Sequence, residues 1–424
     1  MITNLKHKLI ILVLIFFIAP AGLGLSFIPG LLTFDLPKVI PFVIFIVLVI
    51  KFNFKKVDNI SVFFLVLILL HFLSVFYSFN IKVASVNFVS SLILFYPGFF
   101  LAYYVINSVK DIKLFFLIIN TSVALLIFFS LFEFIFQINL FDSFRNSYLS
   151  NESRFNDQLG FGRLGLKSSM GPFASTLPFA YTLICLYFLK DLYKPSYLNS
   201  KLKVLIFQVL GVLAIFFTLS RAAIFVLLFF IVIKYIFRKD LRKVLIFFLF
   251  SFSFLFFINK QITNSPFERY IETYIYDIVS NKTSGTDLRV NNNSIDFNFA
   301  LKRPLLGHGA GMLYYNKIEG AKLKSSDSSF LLTVFAERGI FSLTIFLIII
   351  LITLNRAFIL SKVKSKTFNH GALMYSYLSL LLCLTSSQRQ EVYFLFFLLT
   401  GLINKLYILN KNNHVNFYNN TNLQ

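Results

Sequence analysis

The sequence has no tryptophan, only two cysteines and less than half as many acidic as basic residues. It contains no DxD pair, no HExxH, no Walker loop and no His/Cys cluster at metal-ligand spacing. These absences argue against an ATPase and against a magnesium-dependent nucleotide-sugar transferase, so we expect no metal and no other cofactor. Cys185 and Cys383 fall within apolar segments, where we expect small hydrophobic packing residues and no disulfide or metal pair.

Long apolar runs dominate what is present. The chain is 57% hydrophobic and only 14% charged, and runs of Leu, Ile, Val and Phe recur along it. This pattern is typical of an all-α, polytopic integral membrane protein. The first run follows Lys6 and Lys8 and has no clear small-residue cleavage site, so we interpret it as a retained first helix.

We predict about twelve transmembrane helices. They lie at roughly 9–28, 36–50, 60–78, 86–106, 114–137, 169–189, 204–219, 222–237, 244–258, 330–354, 371–387 and 390–408. The predicted regions are N-terminal transmembrane helices (1–137), a central transmembrane region with the first outer loop (138–258), a large outer loop between spans nine and ten (259–329), C-terminal transmembrane helices (330–408) and a cytoplasmic tail (409–424).

The formal net charge of +22 does not indicate nucleic acid as a partner. Basic residues cluster in the short loops on one side of the predicted spans, as the positive-inside bias requires. This asymmetry places both termini in the cytoplasm and the two long polar loops outside. The contact partners expected from charge alone are therefore membrane lipids.

Among the arginines on the predicted outer side, four stand out, namely Arg163, Arg221, Arg289 and Arg303. Arg221 is the most informative, because it occupies a short turn between two apolar runs, where a charge is costly to bury. A guanidinium suits a diphosphate, since its planar fork donates two parallel hydrogen bonds and stays charged. The alternative is that each arginine binds headgroup phosphates or pairs with an acidic loop residue.

The large loop also contains the glycine-rich sequence LGHGAG, with His308 between two glycines. A phosphate cradle is a weak interpretation, because no strand precedes the glycines and no lysine follows at the required place. We expect a tight turn that dips toward the membrane, with His308 structural or exposed. A role for His308 in substrate binding, with Arg163 and Arg303, is the alternative.

Two carboxylates bracket the start of the tenth predicted span. Asp327 suits the N-cap of that helix, and Glu337 suits a local pair with an arginine. Alternatively, a carboxylate at this entrance accepts a proton from a sugar hydroxyl or orients it. Asp327 and Glu337 are therefore candidate catalytic residues, together with Arg221 and Arg289.

Four stretches occur in a fixed order: GRLGLKSSMGPFASTLPFA, then TLSRAAIFVLLFF, then an outer loop with R-x14-PLLGHGAG, then SSDSSFLLTVFAERGIFSLTIF. In this order and spacing they resemble the O-antigen polymerase and O-antigen ligase superfamily of polytopic membrane glycosyltransferases. The resemblance covers roughly residues 155–350. Outside these residues, only the hydropathy pattern of the chain is similar to that of the superfamily.

The resemblance implies metal-independent glycosyl transfer at the outer face of the bacterial cytoplasmic (inner) membrane, from an undecaprenyl-diphosphate-linked oligosaccharide. It implies that Arg221 and Arg289 bind the diphosphate and that Asp327 lies at the acceptor side. Ligases often carry His and a small polar residue where this chain has Asp327 and Ser328, which favours an O-antigen or capsule polymerase, with a chain-length regulator as a possible partner.

Two alternatives to a polymerase stay open. One is a ligase-type transfer of glycan to lipid A-core or to protein. The other, from a different class, is a polysaccharide flippase, although the chain shows no internal repeat and has a large outer loop.

Overall fold

The structure is a computed structural model. It describes residues 2–18, 24–28, 32–51, 58–138, 140–141, 169–173, 176–192, 201–237, 285–313, 329–363, 368–386 and 392–412. Within these residues the chain is helical apart from one short hairpin, in agreement with the predicted all-α class.

The helices follow the apolar runs of the sequence. They are α1 (Ile2–Ile18), α2 (Leu36–Lys51), α3 (Asn59–Phe76), α4 (Ile81–Leu94), α5 (Pro97–Phe100), α6 (Val109–Phe136), α7 (Thr176–Leu189), α8 (Lys201–Phe217), α9 (Arg221–Phe237), α10 (Gly285–Leu301), α11 (Phe330–Ser361), α12 (Gly371–Ser386) and α13 (Tyr393–Asn412). A π-helical turn, Leu101–Val105, continues α5, and a 3-10 turn, Lys190–Leu192, follows α7. Strands β1 (Gly24–Ile28) and β2 (Leu32–Asp35) form an antiparallel hairpin.

Several helices have the length and composition of membrane spans. Among the described residues, five segments are long and apolar enough to cross a bilayer, namely Asn59–Phe76, Ile81–Val105, Lys110–Phe136, Phe330–Ser361 and Tyr393–Lys411. The protein is therefore a helical membrane protein. The count of about twelve spans stays a prediction, and its ninth member, 244–258, lies outside the described residues.

The first predicted span, 9–28, differs from the structure. Helix α1 ends at Ile18, and the last part of the predicted span is strand β1. The sequence contains the reason, because a proline disfavours helix at the residue before it and glycine is a poor helix former. Pro20 and Gly22 both follow the end of α1 closely.

A second difference is helix α10, which lies within the predicted outer loop 259–329. Its sequence contains three consecutive asparagines, which are weak helix formers, so local propensity does not predict it. Ala300 near its end is buried in a small cluster with Phe335 and Ala336 of α11. Packing against α11 therefore stabilises this helix where the sequence alone gives little support.

Two features show how closely the described helices pack: helix α7 is buried on all sides, and small residues bring the α5–π segment against α13. Helix α7 is buried on every side from Pro178 to Leu189, as expected for a helix that is apolar all round. A Cβ at Gly98 would lie 2.4 Å from the Phe394 carbonyl oxygen, and one at Gly401 would lie 2.4 Å from that of Phe99. The α5–π segment and α13 therefore touch backbone to backbone, as is common at membrane helix crossings.

Helix α6 begins with a capping box. The Ser108 hydroxyl accepts the Asp111 amide at 3.1 Å, and Asp111 Oδ2 accepts the Ser108 amide at 3.0 Å. Each side chain thus satisfies an amide that has no partner inside the helix. Asp111 is therefore a buried carboxylate with a structural role.

Candidate functional site

The site begins at a break inside helix α11. Gly339 has φ 75° and ψ −178°, values that only glycine adopts readily, so the helix is interrupted in an otherwise apolar segment. An interruption frees backbone groups that must find other partners within the membrane. At this break the partners come from the glycine-rich segment after α10.

Residues 304–309, the first part of this segment, bind both sides of the break. The His308 amide donates to the Ala336 carbonyl at 3.0 Å, and the Gly309 amide donates to the Glu337 carbonyl at 2.8 Å. In the other direction, the Ile340 amide donates to the Pro304 carbonyl at 2.8 Å. Three backbone hydrogen bonds thus hold the loop segment against the broken helix, and we call this arrangement the clasp.

The glycines of LGHGAG have a steric role in the clasp. Gly307 has φ 73°, and a Cβ there would lie 2.4 Å from the backbone carbon of Glu337. Gly311 has φ 75°, and a Cβ there would collide with the Asn87 side chain of α4. The segment is therefore a tight turn seated on α4 and α11. Three of its amides, those of Gly307, His308 and Gly309, already bind protein carbonyls, which disfavours a phosphate cradle.

His308 is a buried part of this turn. Only 2% of the residue is exposed, its Nε2 donates to the Phe299 carbonyl at 2.7 Å, and its ring stacks on that of Phe299 at 3.8 Å. Burial lowers the pKa of His308, and the nearby cations Arg303 and Lys302 act in the same direction. His308 is therefore neutral at pH 7 and has a structural position.

Arg303 joins the same loop to the turn between α3 and α4. Its guanidinium donates to the Tyr77 carbonyl at 3.1 Å and lies 4.2 Å from the ring centroid of Phe79. Both partners belong to the turn between α3 and α4. Within the described residues, neither Arg303 nor His308 lines the cavity described next.

Beside the break lies a cavity of about 330 Å³, which we call the α11 cavity. This volume is at the lower end of the range for small-molecule sites. Its polar side chains come from three helices and are His71, Asn87, Ser91, Thr333, Glu337 and Arg338. Its aromatic side chains are Phe95, Phe330 and Tyr393. The combination provides hydrogen-bonding groups and flat apolar faces to one ligand.

Glu337 and Arg338 give the cavity a carboxylate and a cation. Glu337 is 7% exposed, and Arg338 Nη1 donates to the Tyr96 hydroxyl at 3.3 Å. The Tyr96 oxygen lies 2.7 Å from His71 Nδ1. A charged group within a membrane helix is costly, so such residues are functional candidates by default.

Of the seven candidates from the sequence, Glu337 is the one that the structure places in the α11 cavity. Arg221 is the first residue of α9 and Arg289 lies within α10, but their side chains lie outside the described residues. Arg163 and Asp327 also lie outside them.

Sequence reasoning missed Arg338 and His71. The sequence suggests a local arginine partner for Glu337 and gives Arg338 no role of its own, and neighbouring residues of a helix do not face each other. His71 stands within the apolar run of a predicted span, and a lone polar residue there is itself a signal. That signal was present in the sequence.

A second group of contacts, made by Glu133, Ser169 and Phe217, brings together two of the stretches that carry the resemblance. The Ser169 amide donates to the Phe217 carbonyl at 3.1 Å, which brings the end of GRLGLKSSMG beside the turn that precedes Arg221. Glu133 of α6 holds this segment, because its Oε2 accepts the amides of Met170 and Gly171, both at 2.8 Å. These two stretches are therefore neighbours in the structure.

We predict that Glu133→Gln destabilises the protein. A glutamine offers one acceptor oxygen where the carboxylate uses two, since Glu133 Oε1 also accepts the Leu140 amide at 3.2 Å. Losing charge-assisted bonds of this kind costs about 1–3 kcal/mol. Thermal unfolding in detergent checks this, with Thr121→Val on the same helix as the control, because the Thr121 hydroxyl bonds only its own helix at Leu117. Equal unfolding temperatures for both variants would contradict the prediction.

Within the part of the chain that the structure describes, no group of three or more His, Cys, Asp or Glu residues could hold a metal ion. Comparison of the chain with protein-family models finds no match, and no curated protein matches it at a significant level.

Proposed function

We propose that this protein is a polysaccharide polymerase of the outer face of the bacterial cytoplasmic membrane. It transfers a growing glycan from undecaprenyl diphosphate to the terminal sugar of a new lipid-linked repeat unit. The bond from the anomeric carbon to the diphosphate oxygen breaks, and a bond from that carbon to the acceptor hydroxyl oxygen forms. The hydroxyl proton passes to a base, and the diphosphate leaves on its lipid.

The observation that carries this proposal is the α11 cavity. It lies where PLLGHGAG meets FAERGIF, and these are two of the stretches on which the resemblance depends. A polar cavity with aromatic walls, a carboxylate and a cation suits a sugar hydroxyl that must be bound and deprotonated. The second pair of stretches also meets, at Ser169 and Phe217.

Contacts between loop residues support the proposed grouping of the loops on two sides of the membrane. Arg303 of the large loop contacts the turn at Tyr77, and the predicted alternation assigns both to the outer side. Arg356 Nη1 lies 3.7 Å from Asp58 Oδ2, and both belong to the predicted cytoplasmic side. Each contact thus joins residues on the same proposed side of the membrane.

The proposed roles follow from residue chemistry. Arg221 and Arg289 hold the diphosphate and stabilise the charge that develops on it as it leaves. Glu337 accepts the proton of the attacking hydroxyl within the α11 cavity. Asp327 assists on the acceptor side of the entrance to α11.

We predict that Arg221→Ala and Arg289→Ala each stop chain growth while the protein still inserts, because each removes a group that binds the leaving diphosphate. The measurement is a gel of lipid-linked and surface glycan from a deletion strain complemented with each variant. Lys362→Gln is the control, because Lys362 is an exposed cation that contacts Phe358 at the far end of α11.

Single repeat units in place of the ladder, with rescue by wild type and by Lys362→Gln only, support the polymerase. Normal-length polymer from a well-expressed Arg221 or Arg289 variant overturns the mechanism. A full ladder on the polyprenyl carrier that never reaches its acceptor would instead indicate a ligase. Repeat units trapped on the cytoplasmic leaflet would indicate a flippase.

A further inference from the structure

Arg338 is a cation in the wall of the α11 cavity and forms no ion pair within the described residues, although the Glu337 carboxylate lines the same cavity. Its one described hydrogen bond goes to the neutral Tyr96 hydroxyl, and its Nε is buried without a hydrogen-bond partner. A guanidinium in such a place favours an anion, because the desolvation of its charge is otherwise uncompensated.

Tyr96 links Arg338 to His71 and sets the direction of the hydrogen bonds. A guanidinium can only donate, so the Tyr96 oxygen accepts from Arg338. When the Tyr96 hydrogen points to His71 Nδ1, 2.7 Å away, the imidazole is neutral and carries its proton on Nε2. We infer this tautomer for His71. His71 lines the cavity, and Nε2–H is the donor that it has left for a ligand.

The ring of Tyr96 is fixed independently of its hydroxyl. It packs edge-on against Phe64 at 5.6 Å and against Phe397 at 5.3 Å, and 2% of the residue is exposed. The hydroxyl therefore stays in one position between Arg338 and His71. Replacing Tyr96 with Phe would remove the hydroxyl oxygen and leave the packing of the ring in place.

We propose that the α11 cavity binds an oxyanion carried by the glycan, a sugar carboxylate or a phosphate, and that Tyr96 positions Arg338 and His71 as its two donors. The rings of Phe330 and Tyr393 pack on each other, with centroids 4.3 Å apart, and form an apolar part of the cavity wall against which the sugar that carries this group can lie. The choice of a glycan as the carrier depends on the proposed function. Oxyanion binding does not depend on it.

The test is thermal unfolding of the full-length protein in an amine-oxide detergent, which contains neither sugar nor phosphate. The probes are glucuronate, inorganic phosphate and glucose, each at the same ionic strength, because a ligand that binds the folded state raises the unfolding temperature. We expect glucuronate or phosphate to protect the wild type and glucose to protect it much less. Protection by glucuronate alone assigns a carboxylate, and protection by phosphate assigns a phosphate.

The variants are Arg338→Gln, Arg338→Lys and Tyr96→Phe. We expect Arg338→Gln to weaken anion binding by about tenfold to a hundredfold, as the loss of charged hydrogen bonds predicts, and Arg338→Lys to recover part of it. We expect Tyr96→Phe to lower the unfolding temperature without ligand, because Arg338 and His71 lose a hydrogen bond, and also to reduce the stabilisation that the anion adds. Tyr377→Phe is the matched control, because this buried tyrosine bonds Thr400 away from the cavity.

Histidine nitrogen NMR shifts distinguish positioning from a structural role. In wild type, His71 should show a single tautomer with its proton on Nε2, and Tyr96→Phe should give a mixture. Equal protection by glucose and glucuronate, full protection in Arg338→Gln, or no protection by any probe would overturn the proposal. The unfolding experiment needs no polymer synthesis. A negative result for anion binding therefore leaves the glycan-gel result unaffected, and a negative glycan-gel result leaves the anion-binding result unaffected.

Discussion

Replacing Glu337 with Gln should lower polymer synthesis about a hundredfold or more while the protein still inserts into the membrane. General-base catalysis contributes about 10²–10⁴-fold to a rate, and glutamine has nearly the same shape but cannot accept the proton. Glu337 is 7% exposed and lines the α11 cavity, so bulk water is a poor substitute base there.

The measurement is the rate of chain growth on lipid-linked repeat units, normalised to the amount of protein in the membrane. Asp111→Asn is the matched control, because Asp111 is also a buried carboxylate but acts in the capping box of α6. Asparagine keeps an acceptor oxygen there and Ser108 remains the N-cap, so losing the charge costs about 0.5–1.5 kcal/mol of stability and should leave the rate per folded molecule unchanged. A Glu337→Gln protein that polymerises at the wild-type rate would remove Glu337 from the mechanism.

Replacing Gly339 with Ala should destabilise the protein by about 3 kcal/mol or more, because two costs add. The φ and ψ angles of Gly339 are unfavourable by about 1–3 kcal/mol for a residue with a side chain. Overpacking by the added methyl group costs a similar amount. The added Cβ would lie 2.1 Å from the Leu305 carbonyl oxygen and 2.5 Å from its carbon, so backbone would have to move. The clasp would open, and the α11 cavity would lose one wall.

Thermal unfolding and polymer synthesis both measure this effect. Gly371→Ala is the control, since a Cβ there would lie 3.5 Å from the nearest atom, an Asn369 side-chain oxygen, in ordinary contact. We expect that variant to match wild type or to gain slightly, as alanine does in helices. Equal unfolding temperatures for the two variants would show that the break at Gly339 does not require glycine.

Much of the helical layout could be predicted from the sequence, because apolar runs and turn residues are local signals. Predicted spans at 36–50, 60–78 and 371–387 match α2, α3 and α12 within a few residues. The helix α10 could not be predicted, because its polar sequence forms a helix only where Ala300 packs on α11. Tertiary packing overrides propensity in such cases.

The candidate site could be predicted only in part. The sequence predicts Glu337 as a carboxylate near the entrance of the tenth span that accepts or orients a sugar hydroxyl proton, and the structure places it in the cavity. Arg338 and His71 were missed because their relation depends on Tyr96, which lies far from either along the chain. No periodicity or spacing in one sequence reports a hydrogen bond between helices that are distant in the chain.

The clasp has a consequence for the order of biosynthesis. The segment Ile340–Ser361 is apolar throughout most of its length and can enter the bilayer as an independent helix during translation. The carbonyls of Ala336 and Glu337 find their partners only when the preceding loop folds back onto the inserted helix. Insertion therefore comes first and closure of the cavity second, so a newly inserted chain passes through a stage in which it occupies the membrane without a finished site.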